Sequence, residues 1–358
     1  MSLLKDIGVT LPIVQAPMAG ISTPELAAAV SNAGGLGSIG IGAANVAGAR
    51  DMIAETRKRT DRPFNVNVFV HSDPAPDPAR DSSWLDALRS EFERYNKAPP
   101  AALRTIYKSF AWDDEMLDLL IQTRPSVISF HFGLPEPSRV TALKAAGCFL
   151  LSTATNLHEA EAAEAAGIDG IVAQGFEAGG HRGVFDATAP DDCLGMMALT
   201  QLLVARSGLP IIAAGGIMDG RGIASALSLG AQAVQMGTAF IVCPESSADA
   251  GYRAALAGKG AYHTRMTRAI SGRPARCLSN RFTQWAASNE DLLPPDYPIA
   301  YDAGKALHSA AKSVDDYGFA AHWAGQGAPL ARSRPAADLI KMLMAEIAEA
   351  SPNHANRF

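Results

Sequence analysis

Short apolar runs, each followed by a longer amphipathic stretch, alternate along the first two thirds of the chain. The runs 12–16, 35–40, 63–70, 126–130, 149–153, 170–174, 210–214 and 233–236 are continuously apolar or alternate in period two, which predicts strands. Residues 24–33, 45–60, 115–123, 138–146, 157–166, 194–207 and 222–229 have helical character, and Gly34, Gly147, Gly167, Gly208 and Gly230 stand just past five of the ends. The first helix also carries start signals, Ser22 or Thr23 as cap, then Pro24 and Glu25. Eight strands alternating with helices up to about residue 240 predict an α/β fold, a (β/α)8 TIM barrel, with a doubly wound open sheet as the competing arrangement.

Two stretches break the alternation. His71–Ala111 is rich in proline, charge and aromatics and is too long for a connection in a bare barrel, so it is expected to be an insertion. Beyond Val242 the period is lost, a loop follows at 292–298, and helices are expected near 302–314 and 336–350. The expected division is a barrel over 1–240 with the insertion at 71–111. Residues 241–358 form a C-terminal extension that completes a smaller capping domain and returns to the barrel. Gly35 to Gly40 matches G-x-G-x-x-G, but a helix precedes it and its glycines fall inside a strand, the reverse of the context a dinucleotide fingerprint needs.

Composition narrows the function. With 48% hydrophobic and 19% charged residues, the chain can bury a large core. The balance of 31 basic to 36 acidic residues, without a basic cluster, gives nucleic acid and anionic lipid no electrostatic hold, so the expected partner is a small molecule. Cys148, Cys193, Cys243 and Cys277 are far apart and form no C-x-x-C pair, and no apolar window approaches a membrane span of roughly 20 residues. A reduced, cytoplasmic protein with no membrane association and no metal cluster is expected.

The candidate chemistry collects where strands end. AQGFEAGGHRG (173–183) places one imidazole, His181, among glycines in what is expected to be an exposed loop at the carboxyl end of a strand. The turns Gly215-Gly216 and Gln235-Met236-Gly237-Thr238 follow the last two strands, either as a phosphate site or only as tight turns. Ala16-Pro17-Met18 closes the first strand, either against a flat ring or as a plain proline turn. Asn65 and Asn67 share one side of the third strand, facing a ligand or solvent, and His131 sits between two phenylalanines.

PIVQAPMAG (12–20), NVNVF (65–69), SFHFGLP (129–135), QGFEAGGHRG (174–183), AAGGI (213–217) and QMGTAF (235–240), in that order, resemble the class I nitronate monooxygenases, formerly called 2-nitropropane dioxygenases. The tail with Tyr297, Tyr301, Lys305 and 324–326 resembles theirs as well. The resemblance implies an FMN-dependent barrel that oxidises alkyl nitronates with O2 to carbonyl compounds. It implies that Gln174, Gly179, Gly180, Gly215, Gly216 and Gln235, Met236, Gly237 and Thr238 hold FMN, chiefly its ribityl chain and phosphate. Ala16, Pro17, Met18 and Asn67 would line the isoalloxazine. His181 would be catalytic, and His131, Tyr297, Tyr301 and Lys305 would face the nitronate. Two other functions fit the same barrel: an FMN-dependent NAD(P)H reductase of quinones or enoyl thioesters, and a barrel that binds a phosphate ligand without redox chemistry.

Overall fold

In a parallel barrel successive side chains point alternately into the lumen and out toward the helices, so its strands are buried on both sides. The computed structural model, which describes residues 3–350, has that architecture. Its strands are β1 (Ile13–Gln15), β2 (Gly37–Gly40), β3 (Phe64–Phe69), β4 (Val127–His131), β5 (Phe149–Ala154), β6 (Gly170–Gln174), β7 (Gly180–His181), β8 (Ile211–Ala214), β9 (Ala233–Met236), β10 (Thr264–Thr267) and β11 (Ala275–Leu278). Eight of them form one parallel sheet in the order β1-β9-β8-β6-β5-β4-β3-β2. A bridge between Val14 and Leu36 joins the two ends. The sheet is a (β/α)8 TIM barrel.

Register decides what the lumen contains. Val14, Val127, Leu151, Val172, Ile212 and Ala233 pack with Leu3 and Ile7 of the N-terminal helix (Leu3–Ile7) into an apolar plug at the bottom. Their neighbours Ile128, Leu150, Ile171 and Ala173 point outward against the surrounding helices. Two residues further along each strand the inward positions become Ser129, Thr153, Gln174, Ala214 and Gln235, and all five line a cavity at the carboxyl ends. Asn65 and Asn67 also face inward and are buried. Asn65 donates to Ser38 and Ser129, and Asn67 donates to Ser129, so neither amide faces bulk solvent.

The segments that broke the pattern meet above this mouth. The insertion contains the helix Pro78–Glu93, whose Trp84, Leu85, Leu88 and Phe92 share one cluster with Phe282, Phe319, and Ala303 and Leu307 of the helix Ile299–Lys312. The tail holds an antiparallel sheet, β10-β11-β7, which the sequence did not suggest because β10 reads TRMT, without an apolar face. β7 corrects the expected exposed loop: Gly180 and His181 pair with Arg276 and Ala275 of β11. The last helix, Ala336–Ala350, returns to the barrel wall, packing Leu339, Ile340, Leu343 and Ile347 with Leu26, Val30 and Ile223.

Leu88 is fully buried at the junction of insertion and tail. Leu88→Ala is expected to lower unfolding stability by about 2–5 kcal/mol through lost burial and the cavity left behind. Urea titration measures it, and a loss under about 1 kcal/mol would show that the insertion does not fold as part of the same unit.

Candidate functional site

The cavity at the barrel mouth has a volume of about 850 Å³, and every residue to which the resemblance gives a role lines it, whereas Asn65 does not. Ala16, Pro17 and Met18 follow β1; Asn67 lies on the inward face of β3, and His131 ends β4. Gln174 ends β6, with Gly179, Gly180 and His181 beyond it. Gly215 and Gly216 leave β8, while Gln235, Met236, Gly237 and Thr238 close β9 and open the short helix Thr238–Ile241. Tyr297, Tyr301 and Lys305 come from the tail, the last two one turn apart on Ile299–Lys312. Gly215 and Gly216 adopt φ of +117° and +71°, a left-handed backbone that costs glycine little, and so turn back sharply beside Glu177.

The backbone after β6 is held by its neighbours. The Gln174 Nε2 donates to the carbonyl of His181 at 3.0 Å, and its Oε1 accepts from the N–H of Gly183 at 2.8 Å. His131 Nε2 lies 3.2 Å from the same His181 carbonyl, which can only accept, so Nε2 carries the proton and Nδ1 accepts from Thr153 Oγ1 at 3.0 Å. Arg182, fully buried, makes a two-pronged ion pair with Asp191 at 2.8 and 2.9 Å. Glu159 accepts from the N–H of Phe185. Glu177, the acid of the glycine motif, accepts from the N–H of Met196 and caps the next helix, outside the cavity.

His181 is therefore a fixed ring in an aromatic enclosure. Its centroid lies 5.5 Å from those of Phe132 and Tyr297, 6.2 Å from Tyr301 and 5.0 Å from Trp323. Phe132 reaches this position with a φ of +78°, strain of a kind that clusters at functional sites. Burial pushes the His181 pKa down to about 3, helped by His131 and by the Arg273 guanidinium, and burial takes His131 down to about 4. The phenols stay protonated: burial lifts Tyr107 and Tyr301 to about 12 and Tyr297 well above its ordinary value. The Tyr297 hydroxyl is enclosed and has no hydrogen-bond partner among the described residues. Lys305 Nζ stands 4.9 Å over the Tyr107 ring and 5.3 Å over that of Tyr301, and makes no ion pair among the described residues. Asp249, the carboxylate that lines the cavity, is already paired with Lys312 at 2.5 Å.

Tyr107, Tyr252, His322 and Trp323 also line the cavity and were not singled out from the sequence. They lie in the insertion and the tail, whose segments lack a strand–helix period, so only their tertiary position marks them.

This arrangement can be compared with known proteins. A family model described as nitronate monooxygenase matches residues 1–346. The chain belongs to the nitronate monooxygenase family. The nitronate monooxygenase of Paraburkholderia phytofirmans is 57% identical over 346 residues, covering 97% of this chain and 94% of that one. That of Pseudomonas aeruginosa is 54% identical over 341 residues, covering 95% and 97%. The solved structure of nitroalkane oxidase from Streptomyces ansochromogenes superposes with a TM-score of 0.89 at 39% identity, covering 98% and 99%. As a member of this family the chain is an enzyme, an oxidoreductase. No helix among the described residues is long and apolar enough to cross a membrane.

The buried imidazoles of this nitronate monooxygenase family member predict an acid-labile fold. His322 is also pushed down, by burial, to about 4. With folded pKa values of about 3 to 4 against an ordinary 6.5, the unfolded chain binds protons that the folded chain refuses as pH falls through this window. Stability is thus fully present above pH 6.5 and is lost below it, with a slope of about 1.4 kcal/mol per pH unit for each histidine. Urea titrations between pH 7.5 and 5 are expected to show the loss, with a shallower slope in His322→Gln. Equal stability at both ends would remove the account of these rings.

Proposed function

We propose that the chain is an FMN-dependent monooxygenase that converts alkyl nitronates, propionate 3-nitronate among them, and neutral nitroalkanes with O2 into carbonyl compounds and nitrite or nitrate. The observation that carries this reading is the ammonium of Lys305, free of any carboxylate among the described residues and set over two phenol rings in a cavity whose acid is already paired. A cation with neutral phenol donors complements an anion, which a nitronate is.

The residues present fit FMN. The cavity lies within the roughly 300–1,000 Å³ usual for cofactor and ligand sites. The cradle after β8 and β9 is open because its residues lack side chains: a Cβ would lie 3.3 Å from Glu177 at Gly216 and 3.4 Å from Ala16 at Gly237. Gly215, Gly216, Gly237 and Thr238 would hold the phosphate, Gly179, Gly180, Gln235 and Met236 the ribityl chain, and Ala16, Pro17, Met18 and Asn67 the ring system. Asn67 donates through Nδ2 to Ser129, and its Oδ1 has no protein partner among the described residues. Gln174 contributes to the wall, but its amide is committed to the backbone of His181 and Gly183. FMN, when bound, supplies the electron acceptance and the reaction with O2.

The chain's own residues do the rest. Lys305 and the hydroxyls of Tyr107, Tyr297 and Tyr301 bind and orient the anion. Tyr301 is free to donate, since its oxygen accepts from Trp323 Nε1 at 3.3 Å. His181, neutral at working pH, accepts the α-proton of a nitroalkane, whereas a nitronate has already lost it. His131 lines the substrate side with both nitrogens engaged, and acts there by holding His181.

O2 uptake with propionate 3-nitronate, against bleaching by NAD(P)H under anaerobic conditions, separates this activity from a reductase on the same barrel. The cofactor released by heat is expected to be FMN, because the glycine turns make one phosphate cradle; stoichiometric FAD would overturn this. Lys305→Met is expected to raise KM for propionate 3-nitronate about 10- to 100-fold, as for a lost charge-assisted hydrogen bond. The rise for an alkyl nitronate without a carboxylate should be smaller, because propionate 3-nitronate carries a second anionic group for the ammonium to meet, and equal effects would confine Lys305 to the nitronate group. For His181→Asn, kcat/KM on a nitroalkane is expected to fall about 10²- to 10⁴-fold, and on a nitronate much less, with FMN retained. The wild-type profile on the nitroalkane should lack a histidine ionisation near pH 6.5, since that group titrates at about 3. Equal losses on both substrates with weakened FMN retention would make His181 a cofactor ligand.

A further inference from the structure

The ring of His181 has two nitrogens, and the structure treats them differently. Nε2 lies 2.8 Å from Ser271 Oγ. That hydroxyl lies 3.3 Å from the carbonyl oxygen of Arg273. The geometry lets the single hydroxyl proton serve the Arg273 carbonyl, which can only accept, and Oγ then offers its lone pairs to Nε2. Nε2 then brings the proton of the neutral ring, and Nδ1 carries the free electron pair. Nδ1 has no protein partner among the described residues and is not a fully enclosed atom, while the ring lines the cavity.

Ser271 is built to hold this position. It is fully buried, so no bulk water competes for its oxygen. Gly272, which follows it, has a φ of +93° and is pressed so closely on the 295–297 segment that a Cβ would lie 2.5 Å from Pro295 O and from Tyr297 N. Arg273 is buried as well, with its guanidinium 4.4 Å over the ring of Phe132, whose edge in turn meets His181. The segment 271–273 thus packs behind the imidazole and fixes both its hydrogen-bond partner and its tilt.

We propose that Ser271 is the positioning residue that selects the tautomer of His181: by accepting from Nε2–H it leaves the lone pair on Nδ1, and Nδ1 is the atom that takes the α-proton of a nitroalkane. This rests on the reading of His181 as base given above. In the step the Cα–H bond breaks, its electron pair becomes the C=N bond of the nitronate as the N=O π pair moves onto oxygen, and the proton forms Nδ1–H. The resulting imidazolium still donates through Nε2 to Ser271, so no hydrogen bond has to break during the transfer. With the opposite tautomer Nδ1–H would point a proton at the substrate and could not accept another.

The tautomer can be read directly from ¹⁵N NMR of the holoenzyme labelled at histidine, with His181→Asn identifying the signals. In the wild type Nε2 is expected to resonate as a pyrrole-type nitrogen and Nδ1 as a pyridine-type one. In Ser271→Ala that preference should be lost, with kcat/KM on a nitroalkane falling about 10- to 100-fold, as for other outer partners that orient an imidazole, and nitronate oxidation nearly unchanged. Ser271→Thr, which keeps the hydroxyl, should recover both. A pyridine-type Nε2 in the wild type would overturn the proposal without any variant. So would an alanine variant that keeps both the tautomer and the nitroalkane rate. A full nitroalkane rate in His181→Asn would instead overturn the base itself, and with it the use of the tautomer; a pyridine-type Nε2 in an enzyme that still needs His181 overturns the role of Ser271 alone.

Discussion

The carbonyl oxygen of His181 is the point on which the barrel mouth depends. It accepts from Gln174 on β6 and from His131 on β4, so the strand ends of the barrel itself hold the backbone that carries the ring. The other side of that backbone is pinned by Gly183 to Gln174 and by Arg182 to Asp191. A catalytic side chain must be held to a fraction of an ångström, and a glycine-rich segment cannot do so by its own stiffness. Here two inward-facing polar residues supply the rigidity that the glycines lack.

The same enclosure sets the charge state. Removing His131 and His181 from bulk water disfavours their protonated forms, and the nearby Arg273 adds to this, so both rings are neutral where an isolated histidine would begin to titrate. The phenols are driven the opposite way by the same cause and remain donors. Among the described residues that line the cavity, the charged side chain left without an ion pair is Lys305. A neutral base, neutral donors and one cation together form a site for an anion and for the acid from which that anion is made.

The barrel was legible because its signal is local. Each strand is a short apolar or alternating run and five of the seven helices are closed by a glycine, so propensity, period and turn chemistry agree. The residues at strand ends were legible for a related reason: once the strands are placed, parity decides that Asn67, His131, Gln174 and Gln235 face the lumen beside the mouth. The tail was harder. β10 and β11 have four residues each, and β7 has two; β7 exists because β11 arrives from almost a hundred residues away to pair with it.

The sequence by itself determined the parallel barrel, the family motifs and the identity of the groups at the carboxyl ends, because these follow from residue type, period and order along the chain. Only the tertiary structure decided that His181 sits in a closed aromatic wall rather than an exposed loop, that Tyr107 and Trp323 share its cavity, and that Ser271 stands at one of its nitrogens. Those facts depend on contacts between segments far apart in the chain. Burial, and with it the protonation state and tautomer of an imidazole, is a property of what surrounds the ring, and no local pattern in the sequence encodes that surrounding.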